Sequence, residues 1–238
     1  MTLRAMEDFD IQTLSAYLHL TPEQVRKMAE RGKLPGRRIG GQWRFSRAEI
    51  HTWFENRIGA SDEKELVAVE KVFEIQATKE TVEEFHIPDL LRLENIFSPL
   101  LAKTKIKVIT KICDMVAETG ALWEPDKMAE AIHSREALHP TALENGVALL
   151  HPRRPMSQAM GEPFLGLGVT TSGIPFGGPR GCLTDIFFLI GSTDEAVHLR
   201  VLARLSRLIQ QPDVLNQIRD AQGPAEVHAV IVAADEEL

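Results

Sequence analysis

Two observations in the sequence predict an α/β protein built in two parts. Residues 9–58 hold short apolar-periodic stretches with cap residues, then a Gly-Gly pair between two short alternating runs. That is the pattern of a small head of three helices and a two-stranded hairpin. From about residue 87 onward, amphipathic stretches alternate with strand-sized apolar runs such as Ile186-Phe187-Phe188-Leu189-Ile190. This predicts a larger α/β sandwich, a mixed sheet flanked by helices. The 238 residues suit two domains, and 44% hydrophobic with 26% charged residues excludes a disordered chain, a collagen-like repeat and a coiled coil. The expected division is a head at 1–58, an acidic helical connector at 59–86 and the large domain at 87–238.

No apolar run approaches the ~18 residues of a membrane span. The N-terminus reaches Glu7-Asp8 without a secretory pattern, so a cytoplasmic protein without membrane insertion is expected. Cys113 and Cys182 lie 69 positions apart with no Cys-x-x-Cys spacing. They imply neither a disulfide scaffold nor a zinc site, and no metal or cofactor is expected.

The formal charge of -7 conceals opposite segments. Residues 21–47 carry eight basic side chains against Glu23 and Glu30, a net +6, whereas 61–84 carry eight acids against three lysines, a net -5. Such asymmetry points to parts with different partners.

Within the head, Ile11, Leu14 and Leu18 recur at i, i+3, i+7 as one short helix. Thr21 caps a second, Pro22 takes its first position, and Gln24 completes a Thr-x-x-Gln box. Val25, Met28 and Ala29 face inward, and Gly32 ends the helix in left-handed geometry. Gly40-Gly41 between Ile39 and Trp43 is a tight hairpin turn. Ser46 then caps a third helix, with Glu49 at the box position and Ile50, Trp53 and Phe54 as its apolar stripe.

The run Thr21 to Lys27, then Gly32-Lys33-Leu34-Pro35, then Ile39 to Phe45, resembles the winged helix-turn-helix domain of phage excisionases, a relative of the MerR head. The resemblance covers about the first quarter of the chain. It implies that the second helix enters the major groove and the wing reaches the adjacent groove or backbone. Gln24, Arg26, Lys27 and Arg31 would face DNA from the helix, and Arg37, Arg38, Gln42 and Arg44 from the wing. Gln and Arg are suited to base edges, and arginines flanking a glycine turn to phosphates. One such module buries only ~600–1,000 Å², so a dimer or a further partner is expected to supply affinity. In the connector, Leu66, Val69 and Phe73 at helical spacing offer an edge for a homodimer or for packing on the large domain.

In the large domain, Lys103 to Thr119 is expected to be a helix with Ile106, Ile109, Cys113 and Val116 on one face. Trp123 to Arg135 is a second helix. Val147–Leu150, Phe164–Val169 and Leu183–Ile190 read as buried strands. Ser192-Thr193-Asp194-Glu195 reads as a capping box opening a long helix that ends before Pro212, and Asp213–Arg219 is another helix. The segment 225–233 fits helix or strand equally.

The stretch from Arg135 through His151-Pro152-Arg153 resembles the active-site segment of the type-2 EIIA domain, from the fructose, mannitol and nitrogen-regulatory branch of the phosphotransferase system. Ile174-Pro175-Phe176-Gly177 and Asp194-Glu195-Ala196-Val197-His198-Leu199 fit the same family, over roughly residues 88–235. The resemblance implies that His151 accepts a phosphoryl group from an HPr-like carrier. A neutral imidazole is a nucleophile at cytoplasmic pH, and the transferred group needs cationic or dipolar donors. Arg135 and Arg153 would supply guanidinium groups, and His198, near a helix start, would stabilise the anion or share its proton. Three positions depart from the family: Ala142 and Glu144 replace loop glycines, and Leu150 replaces a proline. Glu144 is expected to bring negative charge near the phosphoryl site. The combination reads as a DNA-binding regulator with a phosphoryl-accepting sensor. A relay component for a sugar permease and a non-catalytic interaction protein are the alternatives.

Overall fold

In a computed structural model, residues 8–18, 20–46, 49, 50, 53 and 86–238 are described. The chain divides into two units, residues 1–76 and 77–238. The expected connector helix, and most of the expected third head helix, lie outside the described residues.

In the first unit, α1 (Ile11–Leu18) and α2 (Pro22–Glu30) form where the apolar spacing places them. The capping box is complete: Gln24 N–H donates to Thr21 Oγ1, and Thr21 N–H donates to Gln24 Oε1. Such a cap stabilises a short helix by about 1 kcal/mol. Strands β1 (Arg37–Ile39) and β2 (Gln42–Arg44) pair across Gly40 and Gly41, whose φ angles of 59° and 79° require glycine. Phe9 and Phe45 exchange two backbone hydrogen bonds of 2.9 Å, which ties the chain before α1 to the end of the hairpin. Leu14, Val25, Leu34, Phe45 and Ile50 form the head's core.

In the second unit a single helical turn, α3 (Ile87–Leu90), leads to β3 (Ile96–Phe97). Two helices follow, α4 (Lys105–Glu118) and α5 (Pro125–Leu138). Next come β4 (Val147–Leu150), β5 (Phe164–Pro175) and β6 (Leu183–Gly191). The chain ends in α6 (Glu195–Ile209), α7 (Pro212–Asp220) and α8 (Pro224–Glu236).

The sheet order is β3-β5-β6-β4, with β5 and β6 antiparallel and β4 parallel to β6. Strand alternation splits its apolar residues between two faces. Ala148, Leu150, Phe187 and Leu189 pack with Val108, Ile112 and Ile132 of α4 and α5. Val147, Leu149, Ile186 and Phe188 face the other way and are fully or nearly fully buried.

Two details differ from the sequence expectations, and one choice left open there is resolved. Ile106 is 64% exposed, because the buried stripe of α4 runs through Val108, Ile109, Ile112, Cys113 and Val116. The α6 cap is Asp194, whose side chain accepts from Val197 N–H at 2.9 Å, and Ser192 is released for another role. Segment 225–233 is helix, because Pro224 starts it and Val227, Ile231 and Ala234 bury at helical spacing.

Candidate functional site

Because β4 and β6 run parallel with Leu150 opposite Leu189, His151 after β4 and Ser192 after β6 leave the sheet at the same edge. Phe164 pairs with Gly191, so β5 begins at the same edge. His198, in the first turn of α6, packs into this corner. Its ring centroid lies 5.0 Å from that of His151, at an interplanar angle of 56°. Both side chains are almost covered, each residue being 3% exposed.

The hydrogen bonds fix one tautomer. His151 Nδ1 lies 2.8 Å from Leu149 O. A carbonyl only accepts, so Nδ1 carries the proton and donates it. Nε2 therefore bears the lone pair and is the nucleophilic atom of the ring. His198 Nδ1 lies 3.4 Å from the Ser192 hydroxyl, and Ser192 O accepts from Met156 N–H at 3.2 Å. The loop after His151 is thus tied back to the strand end that holds His198. The start of α6 adds the positive end of a helix dipole beside the pair. Leu149, Ser192 and Met156 were missed by sequence reasoning, since two of these contacts use backbone atoms and leave no side-chain signature.

The two arginines occupy different places. Arg153 is exposed, two residues beyond His151. Arg135 is buried in the last turn of α5 and donates from Nη1 to His139 O at 2.7 Å. It thus helps close the helix end before the chain turns into β4. The same turn holds Glu136, which accepts from Lys105 Nζ at 2.6 Å, from Thr141 N–H at 3.0 Å and from the Thr141 hydroxyl.

Glu144 corrects an expectation. It precedes β4, whereas His151 follows it, and four strand residues of roughly 3.3 Å each stand between. Its carboxylate pairs with the exposed Arg180 guanidinium. The substitution therefore brings no negative charge against the His151 ring. Asn145 and Gly146 shape this same turn: Asn145 Nδ2 donates to Ile209 O at 2.9 Å, and a Cβ on Gly146 would sit 2.8 Å from Arg219 Nη2.

Among the described residues, no three His, Cys, Asp or Glu side chains group as a metal would require. The two cysteines are apart in environment as well as sequence. Burial, and then the neighbouring Asp114 carboxylate, push the Cys113 thiol up to about 12, whereas Cys182 is half-buried.

In the head, Arg26, Lys27 and Arg31 lie exposed on α2 and at its end. Gln24 is exposed but turns its carbonyl back to the cap. On the hairpin, Arg37 pairs with Glu49 at 2.6 Å, and Arg38 lies 3.6 Å from Glu30 and 5.3 Å from the Trp43 ring centroid. Gln42 is exposed and Arg44 half-buried, with 3.4 Å between Arg44 Nη2 and Gln42 Oε1. The structure brings the eight expected residues onto one small unit, but two of the wing arginines already hold carboxylates.

The family described as "Phosphoenolpyruvate-dependent sugar phosphotransferase system, EIIA 2" matches residues 89–234, and one described as "Helix-turn-helix domain" matches residues 9–58. A fructose-specific EIIABC component of Bacillus subtilis is 26% identical over 138 residues, 57% of this chain. The match spans only 21% of that relative's length. A nitrogen regulatory protein of Pseudomonas aeruginosa is 24% identical over 153 residues, 60% of this chain and 96% of that one. Among solved structures, the nitrogen regulatory protein IIA-Ntr of Neisseria meningitidis aligns with a TM-score of 0.55 at 21% identity. That alignment covers 61% of this chain and 98% of the other. IIA mannitol of Escherichia coli aligns with a TM-score of 0.53 at 21% identity, over 59% and 97%. These structural likenesses concern the fold.

Proposed function

This chain belongs to the EIIA 2 family of the phosphoenolpyruvate-dependent sugar phosphotransferase system, and on that premise we propose that it is a cytoplasmic DNA-binding regulator whose His151 accepts a phosphoryl group from an HPr-like carrier. In this reading residues 1–58 are the DNA-binding head, 59–86 the connector and 87–238 the phosphoryl-accepting domain. The observation that carries the proposal is the 2.8 Å bond from His151 Nδ1 to Leu149 O, which leaves the lone pair on Nε2.

The step is a phosphoryl exchange between imidazoles. The Nε2 lone pair attacks phosphorus, the carrier's P–N bond breaks, and its electron pair returns to the carrier's nitrogen. The Nδ1 proton stays in its bond to the Leu149 carbonyl, so no proton need be moved. The charge of the transferred group is met by His198 and the first turn of α6, with Arg153 at the surface. With the Nδ1 proton retained, the phosphoryl oxygens carry roughly two negative charges against one positive charge on the ring, and this new charge alters the affinity for partner or DNA. The helix-turn-helix match supports the regulatory half, because a domain serving transport alone has no use for such a head.

The test is incubation with phosphoenolpyruvate and a complete phosphorelay. Acid-labile label is expected on the wild type and none on His151→Ala. Equal labelling of the two proteins, or none of either, ends the proposal. A second reading, a docking protein that retains the fold without chemistry, is favoured by the 3% exposure of both rings. It predicts an unlabelled wild type whose DNA retention ignores the relay.

A further inference from the structure

A groove of about 620 Å³ runs between the start of α4 and the irregular stretch of β5 at Thr171 and Ser172. This volume is within the ~300–1,000 Å³ of ligand-sized clefts. Its floor is the extended segment around Leu101, a side chain 72% exposed. Lys103, Lys107 and Lys111 stand along one wall, four residues apart, with Asp114 as the single acid. Lys111 Nζ donates to Leu101 O at 3.2 Å, which fixes one ammonium beside the apolar floor.

The groove differs in charge from the unit that bears it. Residues 87–238 carry 14 Lys and Arg against 19 Asp and Glu, a net -5. Residues 95–113 hold four lysines and no acid. One of the four, Lys105, is committed to the buried Glu136, so three face the groove. The net charge of this unit repels an acidic partner, whereas the lysines of the groove attract one. A free inorganic anion would leave Leu101 uncovered.

We propose that this groove docks a short acidic peptide segment of a partner protein, carrying two or more carboxylates beside one large apolar side chain. The carboxylates meet Lys103, Lys107 and Lys111, the apolar side chain covers Leu101, and the hydroxyls of Thr171 and Ser172 satisfy peptide groups. The site is distinct from the histidine pair. Phe164 marks the His151 edge of the sheet, and Thr171 lies seven residues farther along β5, about 20 Å of strand. Docking here therefore does not depend on phosphoryl transfer, and the two can fail separately.

The test is titration of the full-length, ¹⁵N-labelled protein with acetyl-Glu-Asp-Leu-Glu-Asp-amide. The controls are acetyl-Gln-Asn-Leu-Gln-Asn-amide and inorganic phosphate. Saturable amide shifts are expected at Leu101, Lys103, Lys107, Thr171 and Ser172 with the acidic peptide alone. The paired change Lys103→Glu and Lys107→Glu, at exposed positions, should weaken it ~10-fold, and Leu101→Ser should weaken it several-fold. Equal shifts with the neutral peptide would mean a merely apolar face, and equal shifts with phosphate a small-anion site. Either result, or no localised shift with the acidic peptide, overturns the proposal.

Discussion

The rings of His151 and His198 lie 5.0 Å apart although one follows a strand and the other opens a distant helix. Parallel pairing of β4 with β6 brings them together, because it delivers both strand ends to one corner. If His198 meets the transferred charge, its loss should slow chemistry and leave the fold intact. His198→Ala is expected to lower the rate of acid-labile labelling at His151 by about 10²-fold, the scale of one lost charge-stabilising donor. Ser192→Ala, which removes the hydroxyl 3.4 Å from His198 Nδ1, should cost several-fold. Unchanged labelling rates in both variants would remove His198 from the mechanism.

Glu136 predicts a stability effect at the opposite end of β4. Its buried carboxylate serves the Lys105 ammonium and two donors of Thr141. Glu136→Ala leaves the Thr141 donors without this acceptor and the partly covered Lys105 ammonium without its counter-charge, although Lys105 Nζ still donates to Phe176 O at 3.2 Å, at a cost of about 3 kcal/mol. Glu136→Gln keeps an acceptor for Thr141 and should cost about half as much. Urea unfolding followed by circular dichroism measures both, and a cost below about 0.5 kcal/mol for the alanine variant contradicts the role assigned here.

Much of this architecture was legible in the chain. Apolar spacing marked α1, α2 and the buried strands, and Thr21-Pro22 and Gly40-Gly41 marked a helix start and a turn through local chemistry. His151 and His198 stood out by their resemblance to a family, and their juxtaposition rests on strand pairing, which no local pattern encodes. Glu144 misled for the same reason: seven residues from His151 in sequence, it lies across the length of β4. The two-residue β3 was too short to leave any period. Ile106 fitted the apolar count of α4, yet the neighbouring stripe took the buried face.

The cysteines should separate in reactivity. With its thiol pushed up to about 12, Cys113 has almost no thiolate at pH 8 and no access to reagent. A disulfide reagent should modify Cys182 in the native protein and reach Cys113 only on unfolding. Because the folded value stands above the unfolded 9.0, the protonated thiol favours the folded state. That stability is fully present below pH 9 and is lost as pH rises toward 12. Equal native reactivity of the two thiols would contradict the burial that causes the shift.

The head yields a ranking among its basic residues. Arg37 and Arg38 lie against the carboxylates of Glu49 and Glu30, which offset part of the charge each would offer a phosphate. Arg26, Lys27 and Arg31 lie exposed along the second helix. If that helix faces DNA, Arg26→Ala and Arg31→Ala should each flatten the slope of log affinity against log salt by ~0.9 for every phosphate left without its cation. Arg37→Ala should change it less. Glu30→Gln frees Arg38 and removes an acid from the same face, so it should tighten binding. Fluorescence anisotropy on duplex DNA between 50 and 200 mM salt reads all four variants. A slope indifferent to Arg26 and Arg31 would assign the helix to some other partner.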